Sequence, residues 1–381
     1  MLLSKENITL VNLITLQQVF GAGSLKAVKI FDLLLENKLL DKHFTNSLDN
    51  IINKKDVEKL LKYDIQKAYK IIDDCVKNQI SIVTLCDDNY PKRLNNINDK
   101  PILLYIKGSI DNIDNLPAVS VVGPRNISDF GKKAAFSISK RLAKGNMVVV
   151  SGAAVGADTC AHKGALAVGG ITIAVLGCGI CYDYLPQNRQ MREQIAKTGC
   201  LISEHPPYTA TTRYGFPVRN RIISALSLGT VVVEASLKSG SLITARLANE
   251  QGRDVFVIPG NPTLENYKGS NALLRDGAIP LLNALDIFNQ YIFQFPEIID
   301  IEKAFKEDCV EKKNKKSLKN LQLGLSNEAK IVYNNLNNQK FTVDDLLHLS
   351  LRDDTLISVL TELEIEGLIK ALPGGNYELT N

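Results

Sequence analysis

The stretch that decides the fold is Ala118-Val-Ser-Val-Val122, followed by Gly123-Pro-Arg125-Asn126 and then Ser128. A short, nearly continuous apolar run describes a strand buried on both faces, since a half-exposed strand would alternate. The glycine delivers the chain to a turn, and Ser128 reads as the N-cap of a following helix. The same rhythm spreads outward in both directions. The runs SIVTL (81–85), ILLYI (102–106), MVVVS (147–151), ITIAVL (171–176), CLIS (200–203), TVVVEA (230–235) and DVFVI (254–258) are of this kind, and helical segments fit between most of them. Such alternation specifies an α/β fold, an extended Rossmann-like doubly wound sheet, over residues 66–290.

Outside that region the pattern changes. Residues 1–65 read as an all-helical domain of the SAM or helix-hairpin-helix kind, with the turn Gly21-Ala-Gly23 between two helices. Residues 291–322 lose the pattern; the run Glu311-Lys-Lys-Asn-Lys-Lys-Ser-Leu-Lys319 reads as a solvated linker. Residues 323–381 read as three helices, Asn327–Leu336, Thr342–His348 and Asp354–Glu366. A hairpin around Pro373-Gly-Gly375 follows them, which makes a winged helix.

Composition bounds what this architecture does. The formal net charge of the 381 residues is only +4, so a nucleic-acid surface has to be a local patch. No stretch reaches the roughly 18 apolar residues of a membrane span, and the N-terminus lacks the features of a signal peptide, so a cytoplasmic protein is expected. The seven cysteines are scattered and odd in number, as for packed thiols. Cys178-Gly-Ile-Cys181 has neither a thioredoxin-like context nor a second pair. There is no histidine pair at metal spacing, no G-x-S-x-G elbow and no G-x-x-x-x-G-K-[ST] loop. Neither a metal, a cofactor nor an enzymatic activity is expected.

Open α/β sheets hold ligands beyond the carboxyl ends of their strands. The loops there carry Gly123 and Arg125; Gly152 with Asp158 and His162; Arg213, Phe216, Arg219 and Arg221; Lys238, Gly240 and Ser241; and Lys268 with Asn271. Glycine turns and helix N-termini present N–H groups to anions, and arginine adds bidentate charge-assisted bonds to phosphate. A dinucleotide fingerprint would need G-x-G-x-x-G and a later acidic residue, and both are missing here. Cations on one rim, with Phe216 as a stacking face, suit an open chain of phosphates: single-stranded nucleic acid. Each residue also has a plain reading. Arg219 or Arg221 pairs with Glu204 or Glu234 inside the fold, Phe216 is core, Asp158 starts a helix, and His162 is packed and hydrogen-bonded.

The segments SVVGPRN, SGAAVGAD with Ala161-His162, FPVRNRIISALS, VVVEASLKSGSLITA, GRDVFVIPG and GSNALLRDGA, in this order, resemble the DNA-processing protein A family (DprA, also called Smf). The resemblance implies a non-enzymatic protein of natural transformation and competence. Such a protein binds and protects incoming single-stranded DNA, helps load the RecA recombinase, and works as a homodimer through its Rossmann domain, with no membrane partner. By motif position it implies DNA contacts at Arg125, Arg213, Phe216 and Lys238. Two positions depart from the family pattern G-x-G-[IL]-D-x-x-Y-P-x-x-N: Cys181 stands for the aspartate and Leu185 for the proline. Two other readings stay open. One is a nucleotide phosphoribohydrolase-like enzyme, of which Gly229-Thr230 with Glu234 is a partial echo. The other puts the DNA contact on the winged helix, although its helix DDTLISVLTELEIEG carries acidic charges.

Overall fold

The chain divides into two units, residues 1–305 and 306–381. The computed structural model describes residues 10–35, 51–109, 113–306, 325–336, 340–349, 351, 353–366, 368–372 and 376–379. The lysine run 311–319 and the turn 373–375 lie outside the described residues.

In the first unit, nine strands among the described residues form one sheet: β1 (Ser81–Thr84), β2 (Leu103–Gly108), β3 (Ala118–Val122), β4 (Val148–Ser151), β5 (Thr172–Leu176), β6 (Cys200–Ser203), β7 (Gly229–Val232), β8 (Asp254–Val257) and β9 (Ile279–Pro280). Their order is β1-β2-β6-β5-β4-β3-β7-β8-β9. From β6 across to β9 every pairing is parallel, whereas β2 runs antiparallel to both β6 and β1. The chain therefore starts the parallel sheet at β3, steps outward through β4, β5 and β6, then resumes on the other side with β7, β8 and β9. Such a reversal opens a crevice at the carboxyl ends of the two neighbouring strands, here β3 and β7.

All eight apolar runs are strands, and every residue of β3 to β7 is buried. Their few polar side chains are satisfied inside the sheet: Ser120 Oγ donates to Thr230 Oγ1 at 2.7 Å and Ser151 Oγ to the Val121 carbonyl at 2.7 Å. Helices in the first unit are α1 (Leu10–Phe20), α2 (Leu25–Leu35), α3 (Lys54–Lys62), α4 (Gln66–Lys77), α5 (Asp129–Lys144), α6 (Ala157–Leu166), α7 (Arg189–Thr198), α8 (Gly215–Ala225), α9 (Gly240–Glu250), α10 (Lys268–Arg275), α11 (Ala284–Tyr291) and α12 (Ile301–Phe305). Alternate strand residues face opposite layers. Val119, Val121 and Val231 join α5, α6 and α11 in one cluster; Val122, Val150 and Val232 join α8 and α9 in another. Ser128 caps α5 by accepting from the Gly131 N–H at 3.0 Å.

Two stretches lie differently from the plain sequence pattern. Leu13, Ile14 and Leu16 of α1 and Phe31 of α2 share a buried cluster with Leu103, Tyr105, Leu176 and Leu201 of the sheet. The first part of the stretch read as a linker is folded: Ile299 and Ala304 are buried in the cluster that holds Leu142 and Phe288. No helix among the described residues is long and apolar enough to cross a membrane.

The second unit has its own core. It contains α13 (Asn327–Asn335), β10 (Lys340–Thr342), a 3-10 turn (Asp344–Leu349), α14 (Asp353–Ile365), β11 (Ile369–Leu372) and β12 (Asn376–Leu379). The strands pair antiparallel in the order β10-β12-β11. Leu325, Val332, Phe341, Leu356, Leu360 and Leu363 fill the interior. Ser326 caps α13 and donates to Glu362 Oε2 at 2.7 Å.

Candidate nucleic-acid interface

Because β3 to β9 are parallel, the loops that follow them leave one rim of the sheet. At the reversal point those loops enclose a cleft of about 420 Å³. Its walls come from three places: Gly123, Pro124 and Arg125 after β3; Ala154 and Asp158 after β4; and Ser236, Ser239, Gly240 and Ser241 after β7. Phe216, Arg219 and Asn220 of α8 close the side. The N-terminal ends of α6, α8 and α9 thus surround it, and their first N–H groups favour negative charge there.

The loops are locked to one another. Gly156 takes φ +87, and a Cβ there would stand 2.4 Å from the carbonyl oxygens of Pro124 and Arg125. Only glycine allows this approach, and it brings the Ala157 N–H to the Pro124 carbonyl at 3.2 Å. Arg219 enters the same way. Its guanidinium crosses so close to Gly152 that a Cβ at that position would lie 2.0 Å from Nη1. Arg219 Nη1 donates to the Gly152 carbonyl at 2.7 Å and to the Val175 carbonyl, and Nε donates to Asn220 Oδ1 at 3.0 Å. Burial pulls the Arg219 guanidinium below its ordinary pKa, and the neighbouring Asp158 carboxylate opposes that shift. Asp158 is buried too, which pushes its carboxyl up, while Arg219 and the Ala154 N–H draw it down. Asp158 accepts that N–H at 3.2 Å and so holds the turn into α6.

The cations chosen from sequence divide into two groups. Arg221 is buried, ion-paired with Glu204 at 2.6 Å and Asp99 at 3.1 Å, and is absent from the cleft wall. Lys268 pairs with Glu265 at 2.6 Å. Arg219 lines the cleft, but its guanidinium is taken by the Gly152 and Val175 carbonyls and the Asn220 amide. The other three, Arg125, Arg213 and Lys238, are exposed and have no carboxylate partner among the described residues. Lys238 sits on the turn closed by the Ser239 N–H to the Ser236 carbonyl at 3.0 Å, both residues of the cleft wall. Arg125 lies with Cζ 4.9 Å above the Phe216 ring centroid. Phe216 also packs against Tyr184, 5.4 Å away and tilted by 47°. The aromatic is half-buried, and a guanidinium already covers one of its faces.

The remaining choices resolve similarly. Gly123, Gly240 and Ser241 line the cleft. Asn271 does not; its amide brackets Gly260, donating to the carbonyl at 3.0 Å and accepting the N–H at 3.3 Å. His162 is fully buried, with Nδ1 2.8 Å from Thr172 Oγ1. That hydroxyl donates to the Val149 carbonyl at 2.7 Å, so the ring donates from Nδ1. Burial lowers the His162 pKa to about 3. The N-terminal turn is used internally, for the Gly23 N–H donates to Glu204 Oε1 at 2.9 Å. A carboxylate occupies the place that a phosphate would take in a hairpin turn. Asn220, also in the wall, stands between the two arginines of R-N-R; that position, in the second turn of α8, is the signal the sequence carries for it.

Glu234, the acid of the hydrolase echo, is fully buried. It accepts from the Ser128 N–H at 3.2 Å, from Ser128 Oγ, from Asn266 Nδ2 at 3.1 Å and from the Tyr267 hydroxyl at 2.9 Å. It anchors the start of α5. In the loop after β5, Leu185 takes φ +53 and ψ 76. A proline ring forbids that conformation, so the backbone here cannot follow a loop that has proline in this place.

Residues 81–292, more than half of the chain, match the family model for DNA recombination-mediator protein A. DNA processing protein DprA of Streptococcus pneumoniae is 40% identical over 210 residues, which cover 55% of this chain and 74% of that protein. Protein Smf of Synechocystis is also 40% identical, over 218 residues that span 55% of its length and 56% of this chain. The crystal structure of the S. pneumoniae protein superposes with a TM-score of 0.67 at 32% identity, covering 74% of this chain and 98% of that one. DNA processing protein A of Helicobacter pylori, whose structure is described for its single-stranded DNA binding mode, superposes at 0.52 with 31% identity, over 57% of this chain and 97% of that one. With the family model matched across residues 81–292, the chain belongs to the DNA recombination-mediator protein A family.

Proposed function

We propose that this protein binds single-stranded DNA in the rim cleft, protects it, and helps load a RecA-type recombinase onto it in natural transformation. The observation that carries the reading is a set of three exposed cations with no carboxylate partner among the described residues: Arg125 in the wall of a cleft ringed by helix N-termini, Lys238 on the turn between the wall residues Ser236 and Ser239, and Arg213 two residues before α8. Phosphates lie against these charges and the N–H groups of α6 and α9. Bases meet the outer face of the Arg125 guanidinium, which Phe216 and Tyr184 support from behind. The H. pylori relative is described as a single-stranded DNA binder, which supports the same ligand here. The protein acts as a cytoplasmic homodimer through the Rossmann domain. A non-enzymatic role is supported by Glu234, whose carboxylate is occupied by four donors within the fold. The second unit is a winged helix. The exposed acids Asp354, Glu364 and Glu366 on or beside α14 favour a protein contact over a phosphate groove.

Fluorescence anisotropy with labelled oligo-dT at two salt concentrations tests this. Affinity falls with salt, and Arg125→Ala or Lys238→Ala binds more weakly, with a slope shallower by about 0.7 per lost phosphate contact. Unchanged binding and slope in both variants would remove the cleft from the DNA path.

A further inference from the structure

A second cavity, of about 310 Å³, lies behind the loop that carries Tyr184. This volume is at the low end of ordinary ligand sites. Its wall includes Tyr182 and Asp183 of that loop, Arg189 and Arg192 of α7, Lys107 of β2, and Tyr208. Tyr184, two residues beyond Tyr182, is the residue that packs on Phe216 in the first cleft. This short loop, the partition loop, thus lines one cavity with Tyr182 and Asp183 and supports the wall of the other through Tyr184.

The partition is rigid. Its backbone is stitched to the neighbouring loop by the Cys181 N–H to the Pro207 carbonyl at 2.7 Å and the Gly179 N–H to the Thr209 carbonyl at 2.9 Å. Arg192 donates to the carbonyls of Tyr184 and Leu185, which holds the left-handed turn at Leu185. Arg189 and Arg192 both reach Asp183 and neutralise it. With Glu193, the wall carries three cations against two carboxylates. Lys107 is half-buried and forms no ion pair with a carboxylate among the described residues. Tyr182 is 38% exposed and Tyr208 is 57% exposed, so both rings present faces to solvent. The Tyr208 hydroxyl is fixed by accepting from Asn78 Nδ2 at 3.0 Å.

Exposed aromatic faces beside an uncompensated cation are the elements that hold an unpaired nucleotide. We propose that this cavity continues the DNA track. It takes a further nucleotide of the strand gripped in the first cleft, with the base against Tyr182 and Tyr208 and the phosphate at Lys107. The proposal rests on the single-stranded DNA reading above and extends its footprint across the partition loop. Cys181 and Leu185, the two departures from the family pattern, both lie in that loop.

The test compares labelled oligo-dT of about 5 nucleotides, enough for the first cleft, with one of about 20 nucleotides. Tyr182→Ala and Lys107→Gln bind the long oligonucleotide about tenfold more weakly than the parent protein, a loss in the range of one stacked base. Both bind the short one equally well. Tyr182 lies at the surface, so its removal leaves the thermal melt unchanged and keeps the test informative if Lys107→Gln unfolds. Variants that bind both lengths like the parent, or lose both equally, overturn the extension alone. Thymidine monophosphate that binds in a Lys107-dependent way, while long-oligonucleotide affinity is untouched, makes the cavity a free-nucleotide site and also overturns it. A parent protein that binds neither length overturns the single-stranded DNA reading and the extension with it.

Discussion

Arginines that look equivalent in the sequence have different work in the fold. Arg219 has two backbone carbonyls on Nη1 and an amide on Nε, and Arg221 has two carboxylates, whereas the Arg125 guanidinium lies over the Phe216 ring. Arg125→Ala should weaken DNA binding and leave stability within about 0.5 kcal/mol. Arg219→Ala should cost about 2–3 kcal/mol in urea unfolding, because buried carbonyls lose a charged donor. Denaturation curves of the two variants check this contrast. A buried pair of Arg219 or Arg221 with Glu204 or Glu234 was legible, and Arg221 makes it with Glu204; which arginine pairs was not, because Arg219 is claimed by the Gly152 carbonyl, 67 residues away. His162 gives a pH prediction. Its folded pKa of about 3 lies below the ordinary 6.5, so only the unfolded chain takes up the proton in between. Stability is therefore complete above about pH 6.5 and is lost as pH falls toward 3. At pH 5 the loss from this group is about 2 kcal/mol. His162→Gln should flatten that part of the stability-against-pH curve relative to the parent.

At the scale of elements, the strands were legible because burial on both faces leaves an uninterrupted apolar run. The two that escaped are short and mixed: β9 is Ile279–Pro280 and β10 is Lys340–Thr342. The packing of α1 and α2 onto the sheet was not legible, because an amphipathic helix announces a buried face without naming what covers it. Loop geometry was half legible. The glycines marked where the chain turns, but the reason for Gly152 is a guanidinium that arrives from 67 residues away. Gly152→Ala should therefore destabilise by about 2–4 kcal/mol through overpacking. It should also weaken oligo-dT binding, because Arg219 and with it the amino-terminal half of α8 must shift. Thermal melts and anisotropy on the same sample check both effects.

For the whole molecule, the first unit encloses three buried clusters of its own and the second encloses a fourth. Ending the chain after residue 306 should leave a folded protein whose oligo-dT affinity is within about twofold of the parent. A loss of tenfold or more, about 1.4 kcal/mol, would move part of the DNA contact to the second unit.

The carboxylate of Glu204 is a keystone. It takes the Gly23 N–H and Arg221 Nη2, while its backbone carbonyl takes Gln17 Nε2 at 2.7 Å. Arg221 shares α8 with Phe216 and Arg219. The amino-terminal helices are thus a buttress beneath the helix that walls the cleft, so trimming them to make a minimal Rossmann fragment would strip the underside of the cleft and loosen its shape without touching a single residue of its wall.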